Sequence, residues 1–157
     1  MSARPLRITV VGAGSCDEKT ARAAERVGEE IARRGGVLIC GGLGGVMEAA
    51  ARGAKGAGGL TVGILPGDSG EDANPHIEVP IATGLGEARN VVNVRAADAV
   101  VAVAGRYGTL SEIALALGMG IPVVALNSWA ISDDVIVAET PEEAVEKAFS
   151  LAMRRAR

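Results

Sequence analysis

The chain has 157 residues, 48% of them hydrophobic but only 2% aromatic, and a formal net charge of −3. That length suits one domain with a real core, and a core this poor in aromatics must be built from Val, Ile, Leu and Ala. The acidic balance and the shortage of stacking side chains argue against a nucleic-acid partner, and no apolar run approaches the ~18 residues that cross a membrane.

Met1–Arg7 carries two arginines but no apolar stretch after them, so it is not expected to be a signal segment. Arg7–Gly12 reads as the first strand. Ser15–Arg34 follows as a helix, opened by a Ser15-x-x-Glu18 capping box and presenting Ala21, Ala24, Val27 and Ile31 on one face. Val37–Cys40 is the second strand and Gly44–Lys55 the next helix. Leu60–Leu65 is the third strand, stopped by Pro66. The polar, acidic stretch Gly67–Pro75 is either a flap over a site or an exposed loop. Ile77–Ala82 is a weaker strand, expected at an edge because Pro80 interrupts it. A helix over Gly86–Ala97 leads to strand Ala99–Ala104, and a helix over Thr109–Gly118 leads to strand Pro122–Leu126. A short strand Val135–Ala138 precedes a helix over Thr140–Met153, with Thr140 as N-cap, Pro141 at the first helical position and Glu143 closing a capping box.

Near-continuous apolar strands alternating with helices predict a single α/β domain. Its sheet is doubly wound and parallel, with about seven strands and helices on both faces. Cys16 and Cys40 are too few and too irregularly spaced for a disulfide framework or a metal knuckle. They read as small packing residues of a reduced, cytoplasmic protein. His76 has no partner at ligand spacing and reads as a loop residue; no catalytic metal is expected.

Ligands of open α/β sheets bind outside the carboxyl ends of the strands. Four loops qualify, each running into a helix start, where unpaired N–H groups favour anions. The first is Gly12-Ala-Gly14-Ser15. It is not a dinucleotide fingerprint, because Asp17 stands where the third glycine belongs, and no Walker lysine is present. The second, Gly41-Gly42-Leu-Gly44-Gly45, has four glycines in five residues, more than a turn needs, and predicts a backbone cradle for an anion. The third, Gly84–Asn90, places Arg89 in a helix first turn, where its charge opposes the helix dipole. That position hints at an anionic partner, the alternative being a solvated arginine. Arg95, at the other end of that helix, reads as structural. The fourth loop, Gly105-Arg106-Tyr-Gly108-Thr109, combines a guanidinium, a hydroxyl and a backbone nest. Thr109 and Glu112 also fit a capping box, and for Glu112 capping and ligand contact stand as equal readings.

Gly41-Gly-Leu-Gly-Gly-Val-Met47, Gly63-Ile-Leu-Pro66, Arg89-Asn90 and Gly105-Arg-Tyr-Gly-Thr-Leu-Ser-Glu112 together resemble the LONELY GUY family and its relatives once labelled "possible lysine decarboxylase". The resemblance spans most of the chain. It implies a Rossmann-like nucleotide-binding fold and a homodimer or homotetramer. In the enzymes it implies hydrolysis of the N-glycosidic bond of a nucleoside 5′-monophosphate. Those enzymes use an arginine in an E-R-K segment and a glutamate in P-G-G-x-G-T-x-E-E. Here Ala88-Arg89-Asn90 replaces the first segment, Ser111 replaces one carboxylate, and Arg106 replaces a glycine. The short chain, the Ala-Arg-Asn segment and Gly-Arg-Tyr-Gly-Thr look more like the molybdenum cofactor carrier proteins of the same superfamily, which bind a phosphorylated pterin and need no catalysis.

Two functions follow from the resemblance. One is a carrier for a phosphorylated small molecule, the molybdenum cofactor foremost. The ligand would be bound by Gly12, Gly14 and Ser15, by Gly41, Gly42, Gly44, Gly45 and Met47, by Arg89 and Asn90, and by Gly105, Arg106, Gly108 and Thr109, with Arg106, Thr109 and the Gly41–Gly45 loop on its phosphate, assisted by Arg89. The other is a nucleoside-monophosphate N-glycosidase with Glu112 as acid/base and Arg89 on the phosphate.

Overall fold

The structure, a computed structural model, describes residues 4–156, so the first three residues of the Met1–Arg7 segment lie outside the described residues. Seven strands form one sheet: β1 (Arg7–Gly12), β2 (Val37–Cys40), β3 (Thr61–Leu65), β4 (Val79–Ala82), β5 (Ala99–Val103), β6 (Val123–Leu126) and β7 (Val135–Ala138). Five α-helices join them: α1 (Glu18–Arg33), α2 (Val46–Gly56), α3 (Arg89–Arg95), α4 (Tyr107–Gly118) and α5 (Pro141–Arg155). Single 3₁₀ turns lie at Gly70–Asp72 and Gly86–Ala88. The strand order is β4-β3-β2-β1-β5-β6-β7, and all neighbouring pairs are parallel.

Alternation along the strands feeds two cores. Val10, Ala99, Val101 and Val103 face a layer made by α1, α2 and α5. Val11, Val100 and Ala102 face Val94 of α3 and Ile113 and Ala116 of α4. Every residue of β5 and β6 is buried, as strands covered on both faces require. All four residues of β4 are exposed; it is the edge strand that Pro80 foretold.

Four helix starts differ from the sequence reading, that of α2 only in lying at Val46 instead of Gly44. The cap of α1 is Asp17, whose carboxylate accepts from Thr20 N–H at 2.8 Å. Ser15 and Cys16 remain in the loop leaving β1, and Asp caps as well as Ser. The Gly86–Ala97 segment is a 3₁₀ turn followed by a seven-residue helix that begins at Arg89. Helix α4 starts at Tyr107, so Thr109 lies inside its first turn and no Thr109–Glu112 capping box forms. At α5 Thr140 caps as expected, its Oγ1 accepting from Glu143 N–H at 3.1 Å, while the Glu143 carboxylate accepts from the N–H of Glu139, one residue before the cap, so the reciprocal half of the box is shifted by one residue.

Helices α1 and α2 touch backbone to backbone, since a Cβ on Gly28 would collide with the Ala50 carbonyl and one on Gly53 with the Glu25 carbonyl. At the other end of the sheet, Arg4 Nη1 and Nη2 donate to the buried Asp98 carboxylate at 2.9 Å each, and the Arg7 N–H adds a third bond at 2.8 Å. These bonds hold the Asp98 carboxyl well below the usual carboxylate range. Among the described residues, no helix is long and apolar enough to cross a membrane.

Candidate functional site

The strand order reverses between β1 and β5, and there the crevice expected of an open parallel sheet appears. A cavity of about 290 Å³ lies at the carboxyl ends of those strands. Val10, Val11, Gly12, Ala13 and Gly14 line it along the end of β1 and the loop that follows. Gly41 and Met47, Arg89, Asn90 and Asn93 of α3, and Arg106, Gly108, Thr109 and Glu112 at α4 complete the wall.

Ten of the residues singled out from the sequence thus share one cavity: Gly12, Gly14, Gly41, Met47, Arg89, Asn90, Arg106, Gly108, Thr109 and Glu112. Ser15, Gly42, Gly44, Gly45 and Gly105 are absent from its lining. Most of the Gly41–Gly45 loop is a packing joint. Gly45 has φ +62°, and a Cβ there would collide with the backbone of Ala13 and Gly14. The Val46 N–H donates to Ala13 O at 3.0 Å, so the second loop is clasped to the first. Gly42 packs on Leu65, and its carbonyl accepts from the Asn74 N–H at 2.9 Å. Asn74 Nδ2 bonds the Leu43 carbonyl at 2.9 Å, which ties the Gly67–Pro75 stretch down on this joint. Gly105 presses against Thr109 with φ +97°.

Arg89 is buried rather than solvated, at 9% exposure. Its guanidinium lies across Gly41, where a Cβ would sit 2.5 Å from Nη2. Nη2 donates to Gly41 O at 3.3 Å and Nη1 to Asn90 Oδ1, leaving Nε without a partner among the described residues. A buried cation of this kind needs an anion nearby.

Glu112 is buried too. Its Oε2 accepts from Asn93 Nδ2 at 2.9 Å, bridging α4 to α3 instead of capping its own helix. Burial lifts the carboxyl to about 6, against the opposing pull of the Asn93 bond and the Arg89 charge.

At the mouth, α4 begins with no side-chain cap, so the N–H groups of its first turn are open beside the exposed Arg106. The carbonyls of this loop are turned away and held from the β6–β7 loop. Ser128 Oγ donates to Ala104 O at 2.5 Å and Trp129 Nε1 to Arg106 O at 3.1 Å, with Tyr107 and Trp129 stacked at 6.2 Å. Ser111, at the position of the missing carboxylate, spends its hydroxyl on Gly108 O at 2.7 Å and does not line the cavity.

Asn93 was not foreseen from the sequence. Its signal was there: it lies four residues after Arg89, hence on the same helix face. Val10 and Val11, also in the lining, could be known only as strand core. Cys40 is buried with its thiol pushed up to about 11, an inert packing group near the site but not in its lining. Cys16 is half-buried and unpaired. The N–H of His76 bonds Asn74 Oδ1 and its carbonyl bonds Thr61 Oγ1, so its backbone shapes a turn. Arg95 is exposed at the last turn of α3. Among the described residues, no group of three or more His, Cys, Asp and Glu is placed to hold a metal ion.

Fold and cavity define the class: a Rossmann-like, all-parallel α/β domain with a small-molecule crevice at its topological switch point. The chain belongs to the SLOG cluster4 family, whose model matches residues 5–153. It is similar to the molybdenum cofactor binding protein of the phototrophic bacterium Rippkaea orientalis, with 38% identity, a TM-score of 0.90 and coverage of 96% of this chain and 99% of that one. The molybdenum cofactor carrier protein of Chlamydomonas reinhardtii is 34% identical with a TM-score of 0.85, again over 96% and 99% of the two chains. An uncharacterised protein of Archaeoglobus fulgidus is 51% identical over 149 residues, 95% of this chain and 98% of that one. DNA processing protein A of Streptococcus pneumoniae, 18% identical with a TM-score of 0.73 over 92% of this chain and 62% of that one, shares the fold alone.

Proposed function

We propose that this chain is a binding protein for a phosphorylated small molecule, and that the molecule is the molybdenum cofactor, a pterin bearing a phosphate. The observation that carries the reading is the uncapped start of α4, open to the cavity mouth with Arg106 beside it. Unpaired N–H groups and a positive helix end suit a phosphate, and the guanidinium can add a two-point bond. Gly14 and Gly108, both exposed at the rim, let an anion approach backbone without a Cβ in the way. Likeness to carriers of that cofactor over nearly the whole chain supports the choice of ligand.

The N-glycosidase reading would rest on Glu112 and Arg89 alone, because Ser111 offers no second carboxylate. Incubation of the purified protein with AMP and an N6-substituted AMP separates the two: no free base is expected. In parallel, molybdenum cofactor incubated with the protein is expected to decay more slowly than in buffer. Base release at enzymatic rates, abolished by Glu112→Gln, would replace the carrier reading with the hydrolase.

The reading includes a homodimer or homotetramer in the cytoplasm. Val91 and Val92 of α3 are 42% and 38% exposed, an apolar face suited to a second copy. A Val92→Glu variant that stays at the wild-type mass in light scattering would remove that face from the assembly.

A further inference from the structure

Two residues that line the cavity, Arg89 and Asn93, each carry a buried polar atom that the protein leaves unpaired. Asn93 is 1% exposed, and neither its Oδ1 nor the Nε of Arg89 has a hydrogen-bond partner among the described residues. The other end of the Asn93 amide is committed, because Nδ2 donates to Glu112 Oε2. This bond sets the amide orientation, since a carbonyl turned toward an ionised carboxylate would bring two acceptors together. The main chain at Asn93 is fixed as well, its carbonyl accepting from Thr9 Oγ1 of β1 at 2.8 Å. A buried donor or acceptor left unpaired has lost its water and gained nothing in return, so each calls for a partner that the protein itself does not supply.

Their chemical types specify what would complete them. Asn93 Oδ1 and the Glu112 carboxylate are acceptors, and Arg89 Nε is a donor. Two acceptors with one donor complement an edge that offers two N–H donors and one carbonyl. Resting on the reading that this cavity takes a phosphorylated ligand, we infer that Asn93, Glu112 and Arg89 recognise the amino–imino–oxo edge of a 2-amino-4-oxopyrimidine ring, the edge shared by guanine and the pterins. The phosphate then lies at the start of α4, and the ring lies beside the Met47 thioether. Adenine presents a donor beside an acceptor on the corresponding edge, and hypoxanthine lacks the amino group. Either leaves a buried acceptor of the protein unpaired, which is how polar sites reject close analogues.

The test is calorimetric titration of the intact protein at pH 8 with GMP, 6-hydroxymethylpterin monophosphate, IMP, AMP and inorganic phosphate. GMP or the pterin phosphate is expected to bind at least about 10-fold more tightly than both IMP and AMP. Which of those two is the tighter shows whether the ring comes from a nucleotide or a pterin. Glu112→Gln supplies a second arm. The introduced glutamine makes one amide–amide bond with Asn93. Whichever way the two amides turn, they offer the ligand one donor and one acceptor in place of two acceptors. The preference for the amino–oxo probe over AMP is therefore expected to shrink by about 10-fold or more, with inorganic phosphate unaffected. Equal binding of all four organic probes by the wild type, weakened for all by Arg106→Ala, would overturn the edge recognition while leaving the phosphate site standing. Binding of none would overturn both. The wild-type comparison needs no variant to fold.

Discussion

Two glycine-rich loops look alike in the sequence and do different work in the molecule. Gly41–Gly45 has the higher glycine density, yet only Gly41 reaches the cavity; the others bring one loop against another, against Leu65 or against Asn74. The β5–α4 loop has fewer glycines but ends in an uncapped helix with Arg106 at its cap position. Glycine density reports how closely backbones approach. Free N–H groups and an unneutralised cation report where an anion can bind.

Substitutions can break this contrast. The largest effect is expected from Gly45→Ala, which forces a Cβ into a left-handed position and into the first loop, costing about 3 kcal/mol of stability by urea denaturation. Because the clash falls on Gly14 at the rim, ligand affinity of the folded fraction should fall too, but by less than in Arg106→Ala; a loss larger than that of Arg106→Ala would restore this loop to the binding site.

Arg106→Ala should reverse that balance. Stability stays within about 0.5 kcal/mol, as for an ordinary surface change, while phosphate-ligand affinity falls by about 2 kcal/mol, roughly 30-fold, in calorimetry.

Glu112→Gln sharpens the cost of keeping a carboxylate at the cavity floor. Its carboxyl titrates at about 6 when folded against 4.5 as the ordinary value. Ionising it therefore opposes folding, and the penalty grows as pH rises through that interval. At pH 8 the Gln variant should be more stable by about 2 kcal/mol. The gain should vanish below about pH 4.5, where both states are protonated. A pH-independent difference would remove the buried charge as its cause.

The smallest effect falls on the support of the open loop. Trp129→Phe removes the donor to Arg106 O and should cost about 1 kcal/mol of stability in thermal or urea unfolding. No change would show that Ser128 holds the loop alone.

Much of the fold was legible because buried parallel strands leave runs such as AVVAV and VVAL that no other element explains, and because Pro80 marks the edge. The helix starts were less so. Ser15 and Asp17 both lie at plausible cap positions, and only the path of the loop decides between them. The cavity lining was legible where a loop between a strand end and a helix start carries an unusual side chain, as at Arg106. It was not where a tertiary partner decides: Thr-x-x-Glu is a cap pattern by local rules, but Glu112 turns to Asn93 on a neighbouring helix. The helix-interior glycines Gly28 and Gly53 gave no local sign that two helices would meet there.

The most direct test of the central claim is the affinity of the purified protein for molybdenum cofactor, wild type against Arg106→Ala. The account predicts saturable binding by the wild type, weakened roughly 30-fold in the variant at unchanged stability. No binding by the wild type, or equal binding by both proteins, would contradict it.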